Sequence, residues 1–221
     1  MEKGLGAKPS PARLQQTVIS VLKKLIKQHK RVLFDGDNYA EEWHEEAERR
    51  GLPNLRDSVA AFDVLRSRKN VDLFRKYGVL NKAEYGSRIH IAVEKYVKQL
   101  TIEADTMVQM ARIQILPASL KHQTLLAQAV STLEGAGVKS ADQLQALKDF
   151  VMLVGKFRDA TMALEKELAH HDDDPFEHAA HIQKKVRPAM AKLREYGDQL
   201  ETTVSADVWP LPTYQELLFL R

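Results

Sequence analysis

Apolar residues recur at steps of three and four along the middle of the chain, from Asn81 to about Glu134. This spacing places them on one face of a helix, and a second apolar row beside the first predicts burial on several sides. Asn81 and Glu84 have the spacing of a capping box, which predicts the start of the helix. Pro117 removes one intrahelical hydrogen bond, so we expect a kink or break there. The first apolar row comprises Ile89, Val93, Tyr96, Leu100, Ala104, Met107 and Ala111.

The same periodicity predicts helices on both sides of this central element. We predict three further long helices, over about residues 11–31, 140–169 and 175–200, and two short ones, over 59–65 and 71–77. Pro188 should bend the last long helix. A tail with two prolines among apolar residues follows, and we expect it to pack on its own domain or on a neighbour.

The segment between the first long helix and the short helices has a different pattern. Residues 32–34 form a short β-prone run, and 35–38 read Asp-Gly-Asp-Asn, which is typical of a tight turn. A helix over about 39–50 should follow, with Trp43 and Ala47 on its buried side. A glycine then ends this helix.

Long helices, short loops and little strand predict an all-α protein, an antiparallel helical bundle with a small appendage of short helices. We expect a flexible lead over residues 1–9, a region of short elements over 10–80 and the long-helix bundle with its docked tail over 81–221, together forming one domain.

Composition narrows the class of protein. The chain has 221 residues, of which 44% are hydrophobic and 29% charged, and this is typical of a globular protein. It contains no cysteine, which excludes disulfides and thiolate metal sites and is compatible with the cytoplasm, where we place it. No apolar run is long enough for a membrane span. The net charge of +3 gives no indication of nucleic-acid binding.

Polar residues suggest metal sites in three places, none of which has the full pattern of a known site. The acidic turn at residues 35–39 has the spacing of a calcium loop, but Ala40 occupies the position where an EF-hand needs glycine. The pairs Glu41/His44 and Glu167/His170 have the spacing of a di-iron centre, which needs two such pairs on the inward faces of long helices. Here one pair lies on a short helix after a turn and the other runs into a polar loop. A cluster of histidines and aspartates over 170–181 could bind zinc or simply be solvated. We therefore predict no catalytic, cofactor-binding or metal-binding residue in this segment.

Four segments resemble the C-terminal region of type III glutamine synthetases, in the expected order. These are QHKRVLFDGDNYAEEWHEEAERRGLPNL at 28–55, LFRKYGVLNKAEYGSR at 73–88, IEADTMVQMARIQILPASLKHQ at 102–123 and WPLPTYQELLFLR at 209–221. Asp35 stands where the family commonly has asparagine, and Gly86 lies inside the central helix; neither alters the resemblance.

The resemblance implies the helical C-terminal domain of an enzyme that joins ammonia to glutamate with ATP and Mg²⁺, whose catalytic sheet and metal ligands precede such a segment. It implies a non-catalytic role in assembly, with the catalytic domain and neighbouring subunits of a homo-oligomer as partners, and no nucleic acid or membrane. Candidate inter-domain contacts are the signature residues Asp35, Gly36, Asn38, Tyr39, Glu42, Trp43, Trp209, Pro210 and Tyr214. The alternative is a free-standing helical module that binds metal or a regulatory ligand.

Overall fold

The computed structural model describes residues 10–212 and 214–219, without the side chains of Arg31, Tyr214 and Gln215. Within these residues the chain is all-helical and forms no strand, which confirms the predicted class. The chain divides into two compact units, one ending at Arg56 and the other running from Asp57. The predicted flexible lead lies outside the described residues.

Over residues 10–56, which are the described part of the first unit, there are two α-helices. Helix α1 covers Pro11–His29, and its N-terminus is capped by the Ser10 side chain, which accepts a hydrogen bond from the backbone of Arg13. A 3₁₀ turn covers Lys30–Val32, and helix α2 covers Glu41–Arg49. No strand forms at 32–34, where the predicted β-prone run has no neighbouring strand to pair with among the described residues.

Helix α1 is amphipathic as predicted, but its apolar stripe is exposed. No residue of α1 is buried, and Leu22 and Ile26 are 50% and 61% exposed. The helix also carries Lys23, Lys24 and Lys27 but no acidic residue. An apolar stripe of this length that faces solvent is typical of a surface that binds a partner.

The second unit contains the long helices. Its elements are α3 Ser58–Leu65, α4 Arg68–Lys76, α5 Lys82–Met110, α6 Leu116–Gly135, α7 Ala141–Leu168, α8 Pro175–His181, α9 Arg187–Glu201 and α10 Tyr214–Leu218. The sequence pattern groups the short helices α3 and α4 with the residues before them. In the structure they pack against α5, so the units divide at residue 56 and not at residue 80.

The helix does not break at Pro117, which was one of the two outcomes predicted there. A π-turn over Ala111–Ile115 joins α5 to α6 without interruption, and the backbone N–H of Leu116 bonds to the carbonyl of Ala111, five residues back. A second π-turn, Ile182–Val186, joins α8 to α9 just before Pro188. The wider turn shifts the hydrogen-bond register ahead of each proline, which has no N–H to donate.

Two buried clusters hold the second unit together. The larger lies among α5, α7 and α9 and includes Phe157, Leu164 and Leu200, which are at most 1% exposed. The smaller joins α3 and α8 to the first half of α5 around Val93, which is fully buried. Tyr85 ties this second cluster to α3 by donating its hydroxyl proton to the carbonyl of Leu65 at 2.9 Å. The first apolar row of the central helix is therefore buried along both halves. The second row is not buried throughout, since Ile102 and Ile113 are 65% and 70% exposed, so the predicted burial on several sides is wrong there.

No helix in the described part of the chain is both long enough and apolar enough to cross a lipid bilayer.

Candidate functional site

The Asp-Gly-Asp-Asn segment forms the predicted tight turn, shifted two residues along the chain. The turn closes through a hydrogen bond from the Ala40 amide to the Asp37 carbonyl at 3.2 Å. The Asp37 carboxylate also accepts from the Tyr39 amide at 2.9 Å. These bonds delay helix α2 to Glu41, whereas the sequence suggested a start at Tyr39. Asp37 therefore fixes the turn by bonding its own neighbouring backbone, as aspartate commonly does.

Gly36 lies against an aromatic ring. A Cβ atom at this position would sit 2.5 Å from Cζ of Phe34, much closer than real carbon contacts allow. The Phe34 ring packs on Trp43 with centroids 4.6 Å apart. The glycine thus lets the backbone pass over the ring while the ring stays on the tryptophan.

Gly36→Ala is expected to displace Phe34 from Trp43 and weaken this aromatic contact by about 1 kcal/mol. Trp43 should become more exposed, and its fluorescence should shift to longer wavelength. The measurement uses a Trp209→Phe background, in which Trp43 is the remaining one of two tryptophans. Asp35→Ala, in the same exposed turn, is the control and should leave the emission unchanged. Unchanged emission in Gly36→Ala would contradict the close approach.

Arg50 connects the aromatic pair to the helix and to the preceding chain. Its guanidinium carbon lies 5.9 Å from the Phe34 centroid and 5.8 Å from that of Trp43, within the range of cation–π interaction. Its Nη1 donates to the Leu33 carbonyl at 2.9 Å, and its Nε donates to Glu46 at 2.5 Å. Helix α2 is therefore tied to the chain that enters the turn.

Glu46 accepts from two arginines at once. Arg49 donates to both of its carboxylate oxygens at 2.6 Å, and Arg50 donates to one of them. Hydrogen bonds from Arg49 and then Arg50 lower the pKa of Glu46 to about 2. Because two guanidinium groups bind this carboxylate, it stabilises the C-terminal end of α2.

The other signature residues of this turn face solvent. Tyr39 is 96% exposed, and Asp35, Asn38 and Glu42 are also exposed, whereas Trp43 is half-buried. Ala47 is buried as predicted. The turn therefore presents acidic side chains and one projecting tyrosine to solvent.

The C-terminal signature residues belong to the second unit. Trp209 is half-buried and packs on the larger core cluster, while Pro210 is exposed. Val204 and Val208 pack there as well, and the Ser205 amide donates to Nδ1 of His122 at 3.4 Å. The side chain of Tyr214 lies outside the described part of the structure. The tail thus docks on its own unit as far as Trp209.

The four histidines at the junction of α7 and α8 form two ring pairs. The rings of His170 and His181 lie 4.0 Å apart, and those of His171 and His178 lie 5.5 Å apart edge to face. His181 also faces the backbone carbonyl of Glu167 at 3.0 Å. In the described residues no three histidine or carboxylate side chains converge in the manner of a metal site.

This cluster should make stability depend on pH. Burial, and then the positive charges of His171, His170 and His181, lower the pKa of His178 below its ordinary 6.5. As the pH falls, the unfolded chain therefore protonates His178 before the folded chain does. The stabilising free energy that is fully present above pH 6.5 is lost as the pH falls through the folded-state pKa. The nearby acidic groups are Glu167, paired with His181 at 3.5 Å, and Asp173, paired with His171 at 3.7 Å.

We expect the free energy of unfolding to fall between pH 7 and pH 5, and to fall less in His178→Gln. Urea unfolding followed by circular dichroism at each pH measures the difference. His90→Gln is the matched control, because His90 lies on an exposed face of α5 beside Glu94. Identical pH dependence of the native chain and His178→Gln would contradict the assignment.

The sequence analysis did not predict the cluster of Phe34, Glu46 and Arg50, although the spacing of its charged residues indicates one of the contacts. Glu46 precedes Arg49 and Arg50 by three and four residues, the spacing at which helical side chains meet. The contact of Phe34 with Trp43 depends on how the turn reverses the chain, which no periodic pattern encodes.

Comparisons with known proteins point to the family that the signature segments resemble. The glutamine synthetase C-terminal domain family matches residues 17–134, about half of the chain. A type-3 glutamine synthetase of Dictyostelium discoideum is 32% identical over 91% of the chain, and a glutamine synthetase of Butyrivibrio fibrisolvens is 32% identical over 93%. A glutamine synthetase of Bacteroides fragilis is 29% identical over the full length of this chain. The chain spans 28–30% of the length of these relatives. By its match to the family, this chain belongs to the glutamine synthetase C-terminal domains.

Proposed function

We propose that the chain is the non-catalytic, structural domain at the C-terminus of a type III glutamine synthetase. In this proposal its long helices form an antiparallel bundle, and its short helices form an appendage. The observation that carries the proposal is the extent of the similarity: at least 91% of this chain aligns with less than a third of each relative.

The parent enzyme would join ammonia to glutamate with ATP and Mg²⁺ in the cytoplasm, using residues that lie outside this chain. The domain's partners would be the catalytic domain and the neighbouring subunits of a homo-oligomer. Its contribution to the reaction would be to support the assembly in which the active sites form.

Two surfaces of the first unit support a role in contacts. The acidic turn presents Tyr39, Asn38 and Glu42 to solvent on a backbone fixed by Asp37. Helix α1 presents an apolar stripe flanked by lysines. Exposed aromatic and apolar groups on ordered elements are enriched where proteins bind one another.

Activity and mass measurements test the parentage. The purified chain, supplied with ATP, Mg²⁺, glutamate and ammonia, is expected to form no glutamine, and the natural gene product is expected to have about three times the mass of this chain. Glutamine formation that co-purifies with the chain, or a natural product of this length alone, would overturn the proposal.

A second experiment tests the contact role of the turn. Tyr39→Ala and Glu42→Ala are introduced into the complete enzyme, and its mass in solution is measured by light scattering. Both should shift the assembly toward smaller species without changing the helical content. Asp173→Ala is the control, because Asp173 is fully exposed in a loop of the second unit. Unchanged assembly in both turn variants would remove the contact role and leave the turn a local structural one.

A further inference from the structure

A cavity of about 470 Å³ lies in the second unit beneath the C-terminal tail. Its walls come from the end of α5 with its π-turn, from α7 and α9, and from the tail. This volume lies within the range of sites that hold small molecules in proteins, roughly 300–1,000 Å³. The cavity is separate from the acidic turn, which belongs to the first unit.

The walls are mostly apolar and partly aromatic. Phe157 and Leu193, which are almost fully buried, line the cavity together with Trp209 of the tail. Met107 and Met110 add flexible thioether side chains, which adapt their shape to a ligand. Such a surface favours an apolar or aromatic body.

A glycine and a π-turn line the cavity, and the glycine places no side chain in it. Gly197 lines it from the middle of α9, and a Cβ there would be 3.7 Å from Phe157, an ordinary contact distance. Side chains larger than that of glycine could therefore grow into the space. Ala111 and Ile115 of the first π-turn form part of the wall, and π-turns within helices occur frequently at functional sites.

The charged groups of the cavity carry a net negative charge. They are one guanidinium, that of Arg194, and two carboxylates, those of Asp198 and Glu201. Arg194 pairs with Asp198 at 2.5 Å, so Glu201 leaves one negative charge in excess. Glu201 is also the last residue of α9, where the helix dipole is negative. Both features favour a cation.

From these features we propose that the cavity binds a small amphiphilic cation, a molecule with one ammonium group on an apolar or aromatic body. The body lies against Phe157, Met107 and Trp209, and the ammonium group lies toward Glu201. The Trp209 ring adds a π face that attracts cations. Its Nε1 is buried without an acceptor in the described chain, so this tryptophan loses no hydrogen bond when its ring adjusts to a ligand.

Three probes of equal ring size and different charge test the site. They are 2-phenylethylamine, 2-phenylethanol and 3-phenylpropionate, titrated into the full chain with Trp43→Phe, so that the fluorescence of Trp209 reports binding. We expect saturable binding of one amine per chain. The alcohol should bind about three- to fivefold more weakly than the amine, since a partly exposed charge pair changes affinity by that order. The acid should bind more weakly still.

Two variants with matched controls test separately the apolar part of the cavity, which holds the ring, and the carboxylate, which attracts the ammonium group. Gly197→Leu fills the cavity and should abolish binding of all three probes, whereas Gly155→Leu, at a helical glycine with open space around it, should not. Glu201→Gln should remove the preference for the amine, whereas Glu195→Gln, on the same helix and paired with Lys192, should preserve it. Circular dichroism checks that each variant keeps its helices.

Each possible result decides the proposal. Absence of saturable amine binding overturns it, as does an acid that binds as tightly as the amine. Binding that survives in folded Gly197→Leu places the probes elsewhere and also overturns it. If Gly197→Leu does not fold, Glu201→Gln decides alone, because a preference for the amine that persists there contradicts the assigned charge.

Discussion

Leu164→Ala is expected to lower the free energy of unfolding by about 4 kcal/mol, because it removes a fully buried side chain from a close-packed core. Leu164 belongs to the larger cluster, where α7 packs against α9 and α5. The melting temperature should fall by about 8–16 °C for a unit of this size. Urea and thermal unfolding followed by circular dichroism measure both quantities.

Met162→Ala is the matched control for this prediction. Met162 lies two residues earlier on the same helix and is 57% exposed, so its loss should change stability by no more than about 0.5 kcal/mol. Equal effects of the two substitutions would mean that α7 is not held by the face that contains Leu164.

Helix ends marked by a capping box or a terminal glycine followed from the sequence because local chemistry decides them, whereas α2 and α4 begin two residues later and three residues earlier than predicted. Asn81 and Glu84 form the predicted capping box in both directions, with bonds of 2.8 and 2.9 Å. Gly51 and Gly78 end their helices in the left-handed conformation, with φ of 73° and 65°. These signals involve residues close in sequence, so tertiary packing does not override them.

The π-turns could not be predicted from the prolines. Proline in a helix can be accommodated by a kink, a break or a wider turn, and neighbouring contacts decide among them. Here Ser119 lies fully buried one turn beyond Ile115 and donates its hydroxyl proton to the Ile115 carbonyl at 2.8 Å. The carbonyl of the last residue of the π-turn is thus bonded by a buried side chain within a packed helix. Periodicity carries no information about such a bond.

The sequence predicted that the candidate contact site is a turn, but it could not predict which of its side chains face solvent. Asp37 and Gly36 are turn formers in any context, and the resemblance to the family identified the same stretch. Which side chains face solvent depends on the Phe34–Trp43 pair and on the bonds from Arg50, and these involve residues up to 17 positions apart. The exposure of Tyr39 is therefore a result of tertiary packing.

The tail divides into two parts with different packing. Val204 is buried, and Val208 and Trp209 pack on the larger core cluster. Beyond them, Leu218 and Phe219 are 74% and 70% exposed. The sequence suggested one docked tail because both parts are apolar, yet the first part supplies most of the contact with the core.

Ending the chain after Thr203 is therefore expected to lower the free energy of unfolding by about 4 kcal/mol or more, since it removes Val204 and Trp209 from the core. Ending it after Pro212 removes α10, whose Leu217 and Leu218 are exposed, together with the exposed Phe219, and should cost about 1 kcal/mol or less. Urea unfolding of the second unit, followed by circular dichroism at 222 nm, compares the two shortened chains with the full one. The longer truncation should also expose Phe157 and Leu193 to solvent and increase the binding of an apolar dye. If both truncations cost the same, the stabilising contacts would lie in α10, and the core position of Trp209 would be wrong.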